Sequence, residues 1–352
     1  MTRPPVIGIT LGDPAGIGPE ILAKLLASDR LEQLCIPVVV GDARVLQRAQ
    51  TLVGAPIDVQ IVERQAGRLR ADALQAGGRY LVDLRNIAPG DYSYGEVSAA
   101  AGRAAGEYSA AAIELALAGD LAAVVTNPIH KEAFTLGGYG ERYAGHTEMF
   151  ADLTGASSVC MMLVSGALRV CHVTTHVSLL NALTQHIKRA RVLEVTVLAD
   201  QSCRRLGIGR PRIGVAGVNP HAGEDGLFGD EEAREIAPAI ADARARGIDA
   251  EGPVPADTLF SKAMGGMYDA VVAMYHDQGH IPVKLAGFKY DHSDGSWQMH
   301  GVNVTLGLPI IRTSVDHGTA FDKAGKGTAD PLSLHEAISF AGDMIRGSNS
   351  QQ

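Results

Sequence analysis

Residues 6–26 read VIGITLGDPAGIGPEILAKLL, which is a β-branched apolar run, a glycine-rich turn and an apolar run with helical spacing. Val6 to Leu11 therefore predicts a buried strand, and Ile17 to Leu26 predicts a helix. A continuously apolar strand that leads directly into a helix is typical of a parallel sheet whose faces are covered by helices. This stretch predicts an α/β fold.

The same alternation continues along the first third of the chain. Ile36 to Val40 predicts a second strand, and Ala43 to Val53 predicts a second helix. Val97 to Leu117 predicts a long alanine-rich helix that ends at Gly119, and Leu121 to Val125 predicts another buried strand. Regular alternation of strands and helices favours a largely parallel sheet.

The middle of the chain breaks this alternation. Val159 to Val164 and Leu168 to Thr174 are two apolar runs joined by a Ser-Gly-Ala turn, which predicts a hairpin. Helical stretches near Lys188 to Leu206 and Glu231 to Arg246 follow. We expect a second domain to begin at the hairpin and the C-terminal helix to return to the first domain, since 352 residues leave room for two domains.

The composition argues against several classes of protein. The net charge is −8, and no block of Lys and Arg stands out, so a role in binding nucleic acid has little support. The four cysteines form no C-x-x-C pair, which argues against a cysteine zinc site or a redox pair. With no signal-peptide pattern and no membrane-spanning apolar run, we expect a cytoplasmic protein without a membrane partner.

Histidines are the most informative residues for chemistry. His176, His221 and His276 each follow an apolar run and open a polar segment. Ligands collect beyond the carboxyl ends of the strands in open α/β sheets. Three imidazoles there could bind one divalent cation that polarises a substrate hydroxyl. The alternative is three unrelated loop histidines, since their spacing is too long to be a metal motif in itself.

A second group of residues could hold an anion. His146 and Thr147 lie at a predicted helix start, Lys284 follows His276 by eight residues, and Asn303 and Arg312 flank a predicted strand and turn. A helix N-terminus together with Lys and Arg suits a phosphate or a carboxylate. The alternative is an ordinary capping threonine with solvated basic side chains.

The segment from Asp316 to Gly327 could lie against an adenosine, because its residues are small and Asp322 could accept hydrogen bonds from ribose hydroxyls. Considered alone, it is better interpreted as a glycine-rich connection before the last helix. No G-x-G-x-x-G is present, and the turn at residues 12–20 lacks the dinucleotide spacing, so a Rossmann site is not supported.

Taken together, these motifs resemble the 4-hydroxythreonine-4-phosphate dehydrogenase family of vitamin B6 biosynthesis. The resemblance covers nearly the whole chain. It rests on the motifs GDPAGIGPE at 12–20, GHTE at 145–148, NPHAGE at 219–224, YHDQG at 275–279 and LPIIRTSVDHGTA at 308–320.

The resemblance implies a two-domain α/β homodimer like isocitrate and isopropylmalate dehydrogenases, with the active site in the interdomain cleft. Residues 1–125 with 308–352 would form the cofactor-side domain. Residues 126–307 would carry the metal ligands and the dimer interface. The metal site would be shared between the subunits.

The resemblance also implies the site residues. It assigns His176, His221 and His276 to one divalent metal, which could be Zn, Mg, Mn or Co. It implies substrate contacts at His146, Thr147, Lys284, Asn303 and Arg312. It implies catalytic roles for Asp257, Asp277 and Lys284. It implies NAD contacts at Gly318, Thr319, Ala320 and Asp322. The implied reaction oxidises 4-phosphohydroxy-L-threonine at C3 to a 3-oxo acid, which decarboxylates to 3-amino-2-oxopropyl phosphate.

Two departures bear on the substrate. His280 stands where the B6 enzyme usually carries Leu, and residues 289–300 form an insertion whose polar character comes from Asp291, His292, Asp294 and Trp297. Both features look more like a paralogous branch that acts on 4-phospho-D-threonate or 4-phospho-erythronate, and more distant relatives act on aromatic cis-dihydrodiol acids. The insertion also reads as a surface loop without a catalytic role. A metal-dependent lyase without NAD and a non-catalytic binding protein are the competing functions.

Overall fold

The computed structural model describes residues 3–65, 68–69, 74–291 and 296–349. The chain divides into two compact units. Unit 1 consists of Met1–Val159 and Leu308–Ile345, and unit 2 consists of Cys160–Gly307 and Arg346–Gln352.

The strands are β1 Val6–Thr10, β2 Ile36–Gly41, β3 Gln60–Ile61, β4 Arg64–Gln65, β5 Arg68–Leu69, β6 Tyr80–Asp83, β7 Ala123–Thr126, β8 Cys160–Ser165, β9 Leu168–His172, β10 Arg212–Ala216, β11 Asp249–Val254, β12 Ala270–Ala273, β13 Phe288–Asp291, β14 Ser296–Met299, β15 Val302–Leu306 and β16 Arg312–Val315. The α-helices are α1 Gly18–Leu26, α2 Ala43–Leu52, α3 Ala99–Leu117, α4 Lys131–Leu136, α5 His146–Thr154, α6 Leu179–Asn181, α7 Arg189–Arg205, α8 Ala237–Ala245, α9 Ala256–Met264, α10 His276–Gly287 and α11 Leu332–Asn349.

Local sequence signals explain where several helices begin and end. The predicted helix from Val97 begins instead at Ala99, because the Ser98 side chain caps it by accepting a hydrogen bond from the Ala101 amide. Gly119 follows its end with φ of +80°, a conformation that favours glycine. Pairing α3 closely with α4 also requires a glycine, since a Cβ on Gly102 would lie within bonding distance of the α4 backbone.

Unit 1 is built on a parallel sheet with the strand order β16-β7-β1-β2-β6-β3. The central strand β1 is buried on both faces, as its continuous apolar run predicts. Unit 1 extends to Val159, beyond the boundary at residue 125 that the resemblance implied, because α4 and α5 pack against α3, and unit 2 begins at the hairpin. Tyr80, Phe134 and Phe150 contribute to its core.

The strand order creates a topological switch point in unit 1. From β1 the chain runs outward on one side through β2 and β6, and it then returns to place β7 on the other side of β1. Connections that leave neighbouring strands in opposite directions open a crevice beyond their carboxyl ends, where α/β proteins bind ligands. The residues that follow Thr10 and Thr126 therefore lie at a favoured ligand position.

Unit 2 contains a mixed sheet with the strand order β11-β10-β12-β9-β8-β15. The pairings from β11 to β9 are parallel, whereas β8 pairs antiparallel with both β9 and β15. The predicted hairpin is confirmed, because β8 and β9 pair antiparallel with Ser165 opposite Leu168. Unit 2 has its own core, which includes Val170, Leu259 and Tyr268. The predicted α/β class is confirmed. Within the described ranges, no helix is long and apolar enough to cross a membrane.

Candidate functional site

Unit 1 holds a buried basic cluster at the start of α5 and β16. Arg312 is 3% exposed, its Nη2 donates to Thr126 Oγ1 at 2.7 Å, and its Cζ lies 5.3 Å from the centre of the Phe150 ring. His146 places Nε2 3.0 Å from Ser109 Oγ. The fold thus brings together His146 and Arg312, two predicted substrate contacts that lie far apart in sequence. It adds Ser109 and Thr126, which lie in none of the sequence motifs.

The hydrogen bonds of Ser109 define the protonation of His146. Ser109 Oγ also lies 3.0 Å from the Ala105 carbonyl, which can only accept, so the single hydroxyl proton is donated there. His146 Nε2–H therefore donates to Ser109. Burial, with a smaller contribution from the Arg312 cation, holds the pKa of His146 well below its ordinary value. The neutral ring presents Nδ1 as an acceptor, which suits a substrate hydroxyl.

Arg312 supplies the positive charge of this cluster. Burial lowers its pKa to about 10, and the nearby Glu148 carboxylate opposes that change, so the guanidinium stays charged at neutral pH. A cation withdrawn from water gains from a bound anion, and the forked guanidinium matches a phosphate or a carboxylate.

The first turn of α5 adds backbone donors to the same place. Its first intrahelical hydrogen bond runs from the Met149 amide to the Gly145 carbonyl. The amides of His146, Thr147 and Glu148 come before it and donate no hydrogen bond within the helix. Amides in this position and the helix dipole both favour an anion. Thr147, a predicted substrate contact, is half-buried in this turn.

Buried polar residues occupy the switch point of unit 1. Asp13 is 1% exposed, and its Oδ1 accepts a hydrogen bond from the Ala15 amide at 2.8 Å. Asn127 is fully buried and donates from Nδ2 to the Thr10 carbonyl at 2.9 Å. Neither residue has a role that the sequence alone indicates, because only the adjacency of β1 and β7 brings them together.

The predicted adenosine loop, residues 316–327, packs beside this switch point. The Ile17 amide donates to the Thr319 carbonyl at 3.1 Å. The Phe321 ring stacks on His130, which follows β7, with centroids 4.5 Å apart and planes at 17°. The loop therefore covers residues that follow both β1 and β7.

Within this loop, the four predicted NAD contacts differ in exposure. Thr319 is buried and Ala320 is half-buried, whereas Gly318 and Asp322 are exposed. An exposed carboxylate can accept hydrogen bonds from hydroxyl groups and repels a phosphate, which is the chemistry expected of Asp322.

We expect the free energy of unfolding to rise at neutral pH in Asp13→Asn. Burial raises the pKa of Asp13 from 3.8 to about 6, and the amides of Ala15 and His130 only partly offset that effect. The folded chain therefore keeps a proton that the unfolded chain loses, so stability falls as pH rises from 3.8 to about 6. A shift of two pKa units corresponds to about 3 kcal/mol. This is the largest increase in the free energy of unfolding that we expect for Asp13→Asn, and it applies above about pH 6.

Urea denaturation of wild type and Asp13→Asn at several pH values would measure this effect. The increase in the free energy of unfolding should shrink toward zero below pH 3.8, where Asp13 is protonated in both the folded and the unfolded chain. The matched control Asp29→Asn, at an exposed position, should show no gain at any pH. An equal gain at all pH values would contradict the assigned ionisation.

Unit 2 brings two of the three predicted metal ligands together. The His176 and His276 ring centroids are 6.0 Å apart, with planes at 44°. His276 is the first residue of α10, and its Nδ1 lies 2.6 Å from Asp277 Oδ1. Histidines that bind metals commonly hold a carboxylate with the ring nitrogen that does not bind the metal. This pair therefore fits a metal bound through Nε2 of His276.

His221, the third predicted ligand, lies in a left-handed turn between β10 and α8. It is one of four non-glycine residues at 221–225 with φ between 43° and 54°. Glu232 holds the start of this turn, because its Oε1 accepts hydrogen bonds from the amides of Val218 and Asn219, both at 2.7 Å. Non-glycine residues in this region store strain, which is typical of functional segments.

The described part of one chain does not complete a metal site. Within it, no three His, Cys, Asp or Glu side chains are grouped so that they could hold a metal ion. The His221 side chain is 70% exposed, and its ring lies 6.1 Å from Phe228. One chain therefore pairs His176 with His276 and does not add His221 to that pair.

The remaining predicted residues of unit 2 lie on three elements. Lys284 is two helical turns beyond His276 on α10, and its Nζ lies 5.4 Å from the centre of the Phe288 ring. Asp277 and Asp257 are exposed in the first turns of α10 and α9. Asn303 is half-buried on β15, where it pairs with a residue of β8.

The insertion at 289–300 contributes to a two-stranded antiparallel hairpin, β13 with β14. His292 and Asp294 lie outside the described residues, and of Asp291 and Trp297 only the backbone is described.

A family model described as pyridoxal phosphate biosynthetic protein PdxA matches residues 33–341. The chain belongs to the PdxA family. This PdxA chain is 49% identical to the D-threonate 4-phosphate dehydrogenase of Cupriavidus necator, over 95% of both chains. It is 46% identical to the 4-hydroxythreonine-4-phosphate dehydrogenase of Geobacter metallireducens, over 98% of this chain and 96% of the relative.

The fold of this PdxA chain agrees with solved structures of its relatives. A 4-hydroxythreonine-4-phosphate dehydrogenase from Burkholderia phymatum superimposes with a TM-score of 0.81 at 46% identity, over 97% of this chain and 99% of that one. The predicted family and the predicted dehydrogenase class, acting on a CH–OH group, are confirmed.

Proposed function

We propose that this PdxA enzyme uses NAD and one divalent metal to oxidise a small phosphorylated hydroxy acid at C3, with D-threonate 4-phosphate as the favoured substrate. The observation that carries the substrate class is the buried Arg312 beside His146 at the first turn of α5. A buried cation, helix amides and a neutral imidazole acceptor suit a molecule with both an anionic group and a hydroxyl.

The residues of this chain have separate parts in the proposed reaction. Arg312 and the first turn of α5 bind the anionic end of the substrate, with Lys284 and Asn303 as further contacts. His146 orients a hydroxyl through Nδ1. Asp257 or Asp277 would take up the hydroxyl proton, directly or relayed through Lys284, and bound NAD would supply the hydride acceptor for C3. The 3-oxo acid that forms then loses CO2.

The metal is proposed on the histidine pair of unit 2. His176 and His276 are the ligands within one chain, and a divalent ion there supplies a Lewis acid for the substrate oxygen. We propose a homodimer in which His221 of the partner subunit completes the site, since of the three predicted ligands the described part of one chain brings His176 and His276 together without His221. Unit 2 would then carry the metal and the dimer interface, and unit 1 the cofactor.

NAD is proposed at the loop 316–327. The contacts of Thr319 and Phe321 place this loop at the switch point, where α/β proteins bind ligands. The exposed Asp322 favours NAD over NADP, because a carboxylate repels a 2′-phosphate.

We propose a cytoplasmic location. The four cysteines are buried and free of disulfides, which agrees with that compartment.

A second candidate substrate is 4-phosphohydroxy-L-threonine. It is favoured by the 46% identity to a relative named for that activity. The two candidates differ at C2, where one carries a hydroxyl and the other an amino group.

The test is a screen for NADH formation with the enzyme loaded separately with Zn2+, Mn2+, Co2+ or Mg2+. Its substrates are 4-phospho-D-threonate, 4-phospho-D-erythronate, 4-phosphohydroxy-L-threonine and a cis-dihydrodiol carboxylate. We expect the highest kcat/KM with 4-phospho-D-threonate and little activity with the dihydrodiol, which lacks a phosphate. A higher kcat/KM with 4-phosphohydroxy-L-threonine would reverse the preference, and turnover without NAD would instead indicate a lyase.

A further inference from the structure

Four histidines of unit 2 form a row of neighbouring rings, which we call the histidine row: His172, His280, His276 and His176. The His172 and His280 centroids are 4.7 Å apart, those of His280 and His276 are 3.6 Å apart, and those of His276 and His176 are 6.0 Å apart. The proposed metal uses only the last two of these rings.

The buried end of the row is fixed by the sheet. His172 ends β9 and is 1% exposed, and its Nδ1 donates to the Met161 carbonyl at 3.3 Å. Gly279 allows α10 to approach this ring, because a Cβ at that position would lie 2.3 Å from His172 Nε2. His172 is therefore a rigid support for the residue that follows Gly279.

His280 lies on this support and against His276. Its Nδ1 donates to the His276 carbonyl at 3.0 Å, one helical turn earlier in α10. The His280 and His276 rings are nearly parallel, with planes at 12°. A separation of 3.6 Å is van der Waals contact, so one face of the His276 ring is covered.

The two neighbours of His276 restrain different motions of its ring. The stacked His280 opposes tilting of the ring plane, and the Asp277 carboxylate holds the Nδ1 edge. Together they leave the Nε2 edge as the part of the ring that can bind a metal beside His176. Residues that orient a ligand in this way tune metal affinity.

We propose that His280 is a positioning residue that sets the orientation of the His276 imidazole for metal binding. This inference rests on the proposed metal site. It gives His280 a part in the reaction without contact with substrate or metal. Because His276, His280 and Lys284 recur every four residues along one face of α10, His280 also lies between a proposed metal ligand and a proposed substrate contact.

The test measures Co2+ binding to the metal-free full-length protein by titration calorimetry and by the visible spectrum of the bound ion. His280→Leu removes the flat ring, and we expect Co2+ affinity to fall about tenfold to a hundredfold, with shifted visible bands. His280→Phe restores a ring that can stack, and its affinity should return close to that of wild type. The control His186→Leu, at an exposed histidine of the same unit, should leave both measurements unchanged.

The outcomes separate this inference from the proposed function. If wild type binds Co2+, His276→Ala does not, and His280→Leu binds as tightly as wild type with the same spectrum, the positioning role is wrong while the metal site stands. If wild type binds no Co2+, or if His276→Ala binds it unchanged, the metal site fails and the positioning role fails with it. Should His280→Leu not fold, an affinity of His280→Phe as low as that of His276→Ala would overturn the stacking argument.

Discussion

His276→Ala is expected to lower kcat by about a thousandfold or more, because a Lewis acid on the substrate oxygen contributes several kcal/mol to the transition state. His276 is the proposed ligand whose ring lies between those of His176 and His280, so its loss removes a ligand and the ring that His280 orients. Measuring kcat together with bound metal in the purified variant tests this expectation. Chelation of the wild type should produce the same loss, and a divalent metal should reverse it.

His186→Ala is the matched control, since it removes an exposed imidazole from the same unit. We expect it to keep both metal and activity. Full activity of the wild type after exhaustive chelation would rule out a catalytic metal. Activity in His276→Ala with normal metal content would mean that the ligands lie elsewhere.

Arg312→Ala is expected to lower kcat/KM for a phosphorylated substrate by about a hundredfold to a thousandfold, since losing one partner of a buried charge pair costs about 2–5 kcal/mol. The affinity for NAD should remain close to that of wild type, because the basic cluster and the loop 316–327 are separate groups of residues in unit 1. Arg312→Lys should recover only part of the loss, since an ammonium cannot reproduce the fork of a guanidinium. Steady-state kinetics and NAD titration measure the two effects.

Arg210→Ala serves as the matched control, because Arg210 is 85% exposed and pairs with Asp249 at the surface. Its kinetics should match those of wild type. An equal loss of substrate and NAD binding in Arg312→Ala would show that Arg312 supports the structure of unit 1 rather than an anion.

Several features of this chain weaken the fold at places where ligands are proposed. Asp13 is buried with a raised pKa, Arg312 is a buried cation, and His221 lies in a strained left-handed turn. Each feature opposes folding when taken alone. A bound ligand can offset such costs, because binding to the folded state alone stabilises it. We therefore interpret these residues as parts of functional sites rather than of the core.

The sequence by itself determined the local elements of this protein. The apolar run from Val6 to Leu11 predicted a buried strand, the Ser-Gly-Ala turn predicted the hairpin of β8 and β9, and Gly119 marked the end of α3. These predictions succeeded because hydrophobic periodicity and the conformational freedom of glycine act over a few neighbouring residues. The family motifs also named His146 and Arg312 as candidate substrate contacts, although they lie far apart in sequence.

Only the tertiary structure decided which distant residues meet. The adjacency of β1 and β7 brings Asp13 and Asn127 to one switch point, and the packing of α10 on β9 places His280 between His172 and His276. Strand order depends on the summed packing of whole strands and helices. A local sequence pattern around Asp13, Asn127 or His280 therefore could not predict it. For the same reason, the sequence named three histidines as candidate metal ligands, and the fold brings His176 and His276 together within the described part of one chain without His221.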